Sequence, residues 1–121
     1  MSDQGQAKHR VLFCMGVTPE FFAAGADERR RAFAAIPPAF EDLRGRFGVE
    51  VIGTIDDDRL MVGPSATFPW TAYILADAPD LDAVAAVCNI LRETEVGDGD
   101  RLWKYMRVEA RVGRELFFGN A

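Results

Sequence analysis

The chain has 121 residues, of which 49% are hydrophobic and 27% charged, a composition typical of a single globular domain. Its formal net charge is −5, which disfavours binding to nucleic acid or to an anionic lipid surface. The longest apolar run near the start, residues 11–17, is too short to cross a membrane, and the polar stretch before it does not fit a signal peptide. We therefore expect a cytoplasmic protein that binds neither nucleic acid nor membrane, with both of its cysteines reduced.

The first elements follow from local patterns. Residues 1–8 are mostly small and polar and predict a disordered leader, so the domain is expected over residues 9–121. Residues 9–17 are apolar on both faces, which favours a central strand that is covered on both sides. Thr18-Pro19-Glu20 then resembles a helix start, with a capping threonine, a proline at the first helical position and an acid in the first turn. This helical piece is expected to stop at Gly25.

A longer helix is predicted to begin with Asp27 as its N-cap and to end at Gly48. Its apolar residues recur at intervals of three and four, and this stripe continues through Pro37-Pro38. We therefore expect the two prolines to bend the helix without ending it. The stripe consists of Phe33, Ile36, Phe40, Leu43 and Phe47.

Three strands and a second helix are predicted after the long helix. Residues 49–55 form the second strand, and residues 60–63 offer a short return along it. The third strand is expected over residues 70–76, followed by a helix that Pro79-Asp80 caps. The fourth strand is expected over residues 102–112, where apolar and polar residues alternate.

The predicted order of elements is β-α-β-β-α-β. Right-handed crossovers turn this order into a four-stranded antiparallel sheet with both helices on one face, an α+β ferredoxin-like domain. The other face of the sheet then needs a cover of its own, and on the fourth strand it carries a mixture of aromatic and charged residues. These are Trp103, Tyr105, Arg107, Glu109 and Arg111. We expect this mixed face to be buried in a homodimer, and the apolar C-terminal tail from about residue 113 to pack on its own or the partner subunit.

No cofactor motif is present in the sequence. It has no phosphate-binding loop, dinucleotide fingerprint or serine elbow, and its single histidine cannot form a multi-histidine metal site. We therefore expect neither a nucleotide cofactor nor a metal. Asp56-Asp57-Asp58 could offer carboxylates to a hard cation, but the spacing is not that of a calcium loop, and a hairpin turn is the favoured interpretation. His9 is a candidate general base, although its place at the start of the first strand favours exposure to solvent.

A group of aromatic side chains is more informative. Trp70 and Tyr73 lie on the predicted third strand, and Trp103 and Tyr105 lie on the fourth. Such residues suit a pocket for a flat aromatic ligand, and Arg107 could pair with the carboxylate of that ligand. Dimer interfaces are enriched in the same residue types, so an interface and a pocket both stay open as interpretations.

Several segments together form a distinctive set: residues 11–16, 56–59, 61–65, 69–73, 75–77, 88–89, 94–97, 102–105 and 108–111. As a set they resemble the IacB-like accessory proteins of indole-3-acetic acid degradation clusters. More loosely, the Thr-Pro helix start, the long helix and the end of the fourth strand resemble darcynins. Both resemblances imply the dimeric α+β barrel superfamily, which includes cofactor-free enzymes acting on small aromatic or lactone compounds and members without known catalysis.

Two functional hypotheses follow. In the first, the protein belongs to aromatic-acid catabolism and binds or transforms an oxidised indole-acetate. The four aromatic side chains would stack on the ligand, Arg107 would hold its carboxylate, and the proton-transfer candidates are Asp57, Arg59 and His9. In the second, the protein is a non-catalytic dimeric binding or assembly module. A closed apolar cavity with a few converging polar groups would favour the first hypothesis, and a filled core the second.

Overall fold

The computed structural model describes residues 8–64 and 69–119. The predicted leader, apart from Lys8, lies outside the described residues, as do residues 65–68. Six strands occur in the described ranges: β1 (His9–Val17), β2 (Glu50–Asp56), β3 (Ala72–Ala78), β4 (Glu95–Gly97), β5 (Asp100–Arg101) and β6 (Met106–Gly113). Four of them form an antiparallel sheet in the order β2-β3-β1-β6, whereas β4 and β5 pair separately. This order confirms the predicted α+β ferredoxin-like arrangement.

Five helices accompany the sheet in the described residues: α1 (Pro19–Ala23), α2 (Ala26–Ala39), α3 (Leu43–Phe47), α4 (Leu81–Cys88) and α5 (Ile90–Glu93). They bury one face of the sheet, because alternate strand residues such as Val11, Phe13 and Ala76 pack with α4 and α5 residues in one apolar core. None of these helices is long and apolar enough to span a membrane.

The predicted long helix is broken in the structure, so the expected kink is wrong. α2 includes Pro37 and Pro38 but ends at Ala39. Asp42 then adopts a left-handed conformation with φ of 49° and caps α3 by accepting a hydrogen bond from a backbone nitrogen. The two prolines supply no backbone donors for the turn they enter, which weakens the helix where it stops.

The apolar stripe of this segment is only partly buried. Leu43 after the break is buried as predicted, whereas Phe33 before it is 66% exposed, so its assignment to the core is wrong. Asp27 lies in the first turn of α2, and the N-cap is Gly25 and not Asp27. Gly48 ends α3 with φ of 72°, which confirms the predicted C-terminal glycine.

The fourth strand begins four residues later than predicted. Residues 102–104 form a 3-10 turn, and the strand starts at Met106. Trp103 and Tyr105 therefore do not lie on the outer face of the sheet, and this part of the prediction is wrong. The cause is Leu102, which is fully buried in the core beneath the helices and holds the chain there before it enters the sheet. Residues 60–63 likewise form no strand.

Candidate functional site

The helices leave one face of the sheet uncovered, and we call it the open face. Cross-strand register shows which residues lie side by side at its centre. Two neighbouring rows run across β3, β1 and β6: Leu75, Leu12 and Arg111, then Tyr73, Cys14 and Glu109. The centre of the open face is therefore apolar, with charged groups along the β6 edge.

The chain after β6 folds back over the open face and forms a groove with it. The groove has a volume of about 550 Å³, which is in the range of small-molecule binding sites. Leu12 and Leu75 form its floor, and Leu116 and Phe118 of the C-terminal segment form a wall. Three arginines and the acidic Glu115 supply the charged part of the lining, so the groove combines an apolar surface with mostly cationic groups.

The three arginines of the groove differ in how firmly they are paired. Arg10 Nε donates to Asp77 Oδ1 at 2.7 Å, and this hydrogen bond raises the pKa of Arg10. Arg111 pairs with Glu109 in a more exposed contact. Arg114 makes no hydrogen bond or ion pair with any residue in the described ranges. Arg114 is therefore the cation of the groove that is most available to an added carboxylate.

Tyr73 and Asp57 meet near one end of the open face. The Tyr73 hydroxyl lies 3.4 Å from Asp57 Oδ2 and 3.2 Å from the backbone oxygen of Trp70, and it can donate to either. Burial, followed by the negative charge of Asp57, raises the pKa of Tyr73. The structure thus brings three predicted site residues together, with Arg59 two residues further along in an exposed bend. Tyr73 in this setting is a hydrogen-bond donor and not a proton acceptor.

Trp103 and Tyr105 lie on the helix side of the molecule, away from Tyr73. Tyr105 is 1% exposed, and its hydroxyl donates to Glu28 in α2, with Asp100 Oδ2 at 3.3 Å. Burial, followed by the bond to Glu28, raises the pKa of Tyr105 to about 12. The Arg92 guanidinium lies 5.1 Å from the centre of the half-exposed Trp103 ring. The four predicted aromatic residues therefore do not form one stack.

Arg107 lies opposite Gly16 of β1, toward the Tyr73 end of the sheet, whereas His9 lies at the far end of β1. The Arg107 guanidinium donates to the backbone oxygens of Trp103 and Met106, so it holds the start of β6. His9 lies at the opposite end of β1 from the Asp57 region, about 20 Å along the strand at 3.3 Å per residue. His9 and Asp57 consequently cannot share a proton-transfer step.

The sequence did not predict the groove, although two signals for it were present. Arg111 belongs to the predicted mixed face, and the apolar residues after position 113 were expected to pack somewhere. The sequence did not show on which surface the C-terminal segment packs. Within the described residues, no cluster of three or more histidine, cysteine, aspartate or glutamate side chains could hold a metal ion.

Comparisons with known proteins give a fold likeness and no family. No protein-family model matches the chain, and no curated protein matches it. Among solved structures, one similar chain is the crystal structure of a protein named "Putative Chlorite dismutase", with a TM-score of 0.49 and 20% sequence identity. The match covers 90% of the present chain but only 44% of that protein, so the chain spans less than half of its length. The likeness is distant and concerns the fold alone.

Proposed function

We propose that the chain binds a small aromatic acid in the groove on its open face, as a protein of indole-3-acetic acid breakdown. The observation that carries this proposal is the groove itself, in which a leucine floor and a wall of Leu116 and Phe118 lie beside the Arg114 guanidinium, which pairs with no residue in the described ranges. The resemblance to IacB-like proteins supports the choice of an indole-acetate, or an oxidised derivative of it, as the ligand.

The chemistry of the groove suits both halves of such a ligand. The floor of Leu12 and Leu75 offers apolar area to a flat ring, and the Phe118 ring offers an edge or a face. The carboxylate would meet Arg114, and Arg111 stands three residues away on the end of β6. Bidentate pairing between guanidinium and carboxylate gives the ligand a fixed orientation as well as affinity.

The positions of the candidate proton-transfer residues favour a role in binding over a role in catalysis. Asp57 and His9 are absent from the lining of the groove, and they lie near opposite ends of the sheet. The Tyr73 hydroxyl is held protonated by burial and by Asp57. A substrate-handling or carrier role therefore comes first, and a cofactor-free transformation is the second candidate, with Asp57 and Arg59 as its proton-transfer groups.

We further infer that two copies associate through their open faces, the arrangement of dimeric α+β barrels. The open face leaves large apolar side chains in water, among them Ile55 at 60% and Phe118 at 59% exposure. Large apolar side chains exposed on one face commonly mark an interaction surface. The neighbouring charged pairs would form a polar rim around it.

Calorimetric titration with indole-3-acetate and with its neutral amide tests the ligand proposal. Replacing Arg114 by glutamine should weaken the acid about tenfold or more and the amide little, because a hydrogen bond between charged groups contributes roughly 1.5–3 kcal/mol. Arg30→Gln is the matched control, since Arg30 lies on the exposed face of α2 in a local pair with Asp27. It should leave both affinities unchanged.

Arg107→Ala separates this site from the one predicted by the sequence. Because Arg107 is committed to backbone oxygens, its loss should not discriminate between the acid and the amide. Selective loss of acid binding in Arg107→Ala, with Arg114→Gln unaffected, would move the site away from the groove. Absence of any binding by the wild-type protein at millimolar acid would refute the proposed ligand class.

A further inference from the structure

Phe117 is the most exposed large apolar residue in the described part of the chain, at 93%. Its neighbours Leu116 and Phe118 line the groove, whereas Phe117 does not. The Phe117 ring packs edge-on against Phe118, with centroids 4.8 Å apart and planes at 67°. Phe118 therefore connects the exposed Phe117 ring to the wall of the groove.

The exposed area at this position is large enough to matter for association. A phenylalanine buries about 150–250 Å², so Phe117 and Phe118 together offer roughly 300 Å² at their observed exposures. One partner of a standard protein interface contributes about 800 Å². These two rings alone would supply more than a third of that area.

The charges around the groove are compatible with a second copy of this chain as the occupant. The whole chain carries −5, so most approaches of one copy to another are repulsive. The charged groups around the groove balance instead, three against three: Arg10, Arg111 and Arg114 with Asp77, Glu109 and Glu115. The region of the groove therefore adds no repulsion of its own when two copies meet through this face.

We propose that Phe117 of each copy packs over the open side of the groove of a second copy and completes its binding site for the aromatic acid. The inference rests on the proposed function, and it assigns part of the site to the partner. Phe117 and the groove are adjacent on one face, and a two-fold axis makes such a contact reciprocal. Each Phe117 ring then closes the open side of the groove over Leu12 and Leu75 of the other copy.

This arrangement couples ligand binding to association. A monomer offers the acid only the floor and one wall, whereas the dimer adds an aromatic cover. Linkage makes the two effects equal: the factor by which dimerisation raises the affinity of one site for the acid is the factor by which acid bound at that site raises the association constant of the dimer. Indole-3-acetate should therefore lower the dissociation constant of the dimer.

Phe117→Ser tests the contact, with Phe33→Ser as the matched control. Phe33 is also strongly exposed, but it lies on α2 on the helix side of the sheet. Sedimentation equilibrium would give the dimer dissociation constant with and without indole-3-acetate, and calorimetry would give the affinity for the acid. Loss of a central aromatic contact should raise the dimer dissociation constant about tenfold or more and weaken the acid. Phe33→Ser should change neither quantity.

The outcomes separate this inference from the proposed function. An unchanged dimer constant in Phe117→Ser, or a wild-type protein that stays monomeric throughout, overturns the inference. A weakened dimer that binds the acid as tightly as the wild type shows that Phe117 does not complete the site, while the proposed function stands. A dimer that Phe117→Ser weakens but that binds no acid supports the Phe117 contact and refutes the proposed ligand.

Discussion

The loss of one buried hydroxyl, in the substitution Tyr105→Phe, tests how the 3-10 turn is held beneath the helices. Tyr105 is almost fully buried, and its hydroxyl donates to Glu28 at the start of α2. Lys104 lies 3.3 Å from both Glu28 and Asp100, so the four side chains form one polar cluster. The substitution keeps the ring and removes only the donor.

The expected loss of unfolding free energy depends on which contacts the Glu28 carboxylate keeps in the variant. Its carboxylate keeps the contact with Lys104, and its side chain is 29% exposed, so water can replace part of the lost bond. We therefore expect the lower part of the range for hydrogen bonds to charged groups, about 1.5–2 kcal/mol. With an unfolding entropy of about 2.1 cal/mol/K per residue, this corresponds to a fall in Tm of roughly 6–8 °C.

The pH dependence supplies a second signature. The bonds from Tyr105 and Lys104 lower the pKa of Glu28 below its ordinary value of 4.5. The resulting stabilisation is present above pH 4.5 and is lost as the pH falls through the folded-state pKa. Since Tyr105 is the largest cause of this shift, the variant should lose less stability on acidification. At the alkaline end, the raised pKa of Tyr105 stabilises the folded protein below pH 10, and this contribution is lost as the pH rises toward about 12. The Phe variant has no hydroxyl to titrate, so its stability should not fall for this reason.

Urea unfolding followed by tryptophan fluorescence, repeated across pH, measures both effects. Tyr73→Phe is the control, because the Tyr73 hydroxyl makes only longer contacts, at 3.2 and 3.4 Å, and its loss should cost less than the loss of the Tyr105 hydroxyl. The reasoning is refuted if Tyr105→Phe destabilises the protein no more than Tyr73→Phe does. It is also refuted if the variant loses as much unfolding free energy on acidification as the wild type does.

Three further substitutions test local contacts by the free energy of unfolding in urea. Gly48→Ala should cost about 1–2 kcal/mol, because φ of 72° is unfavourable for a residue with a Cβ atom. Asp80→Ala should cost about 1 kcal/mol, since the carboxylate caps α4 by accepting from the Ala83 nitrogen at 2.8 Å. Thr18→Val should cost about 1–3 kcal/mol, because the buried hydroxyl donates to the Lys104 oxygen at 2.6 Å. A value near zero in any of them would contradict the corresponding contact.

Much of the fold could be predicted because its signals are local. The Asp80 cap and the Gly48 helix end each depend on a few adjacent residues, and the structure confirms both. The order of the sheet follows from the order of elements and from the right-handedness of the crossovers. The proline pair was also a local signal, and its interpretation as a bend failed because the apolar stripe was given more weight than the missing donors.

The fourth strand shows where a local pattern is ambiguous. Residues 102–112 alternate in polarity, which is the signature of a strand, yet the first three form a 3-10 turn. Burial of Leu102 in the core decides between the two conformations. Leu102 packs against helix residues that are distant in the sequence, so residues 102–112 alone do not reveal this contact. Trp103 and Tyr105 were therefore assigned to the wrong side of the sheet.

The sequence by itself determined the class of the fold, the Asp80 cap of α4, the Gly48 end of α3 and the charged residues on the outer face of the fourth strand. Only the tertiary structure decided which of those residues meet. The groove joins Leu12, Leu75 and Phe118, which are separated by more than 40 residues along the chain. No periodicity relates such positions, because their proximity depends on strand register and on where the C-terminal segment packs. The candidate site therefore depends on long-range packing, whereas the helices and strands that carry it follow largely from local sequence patterns.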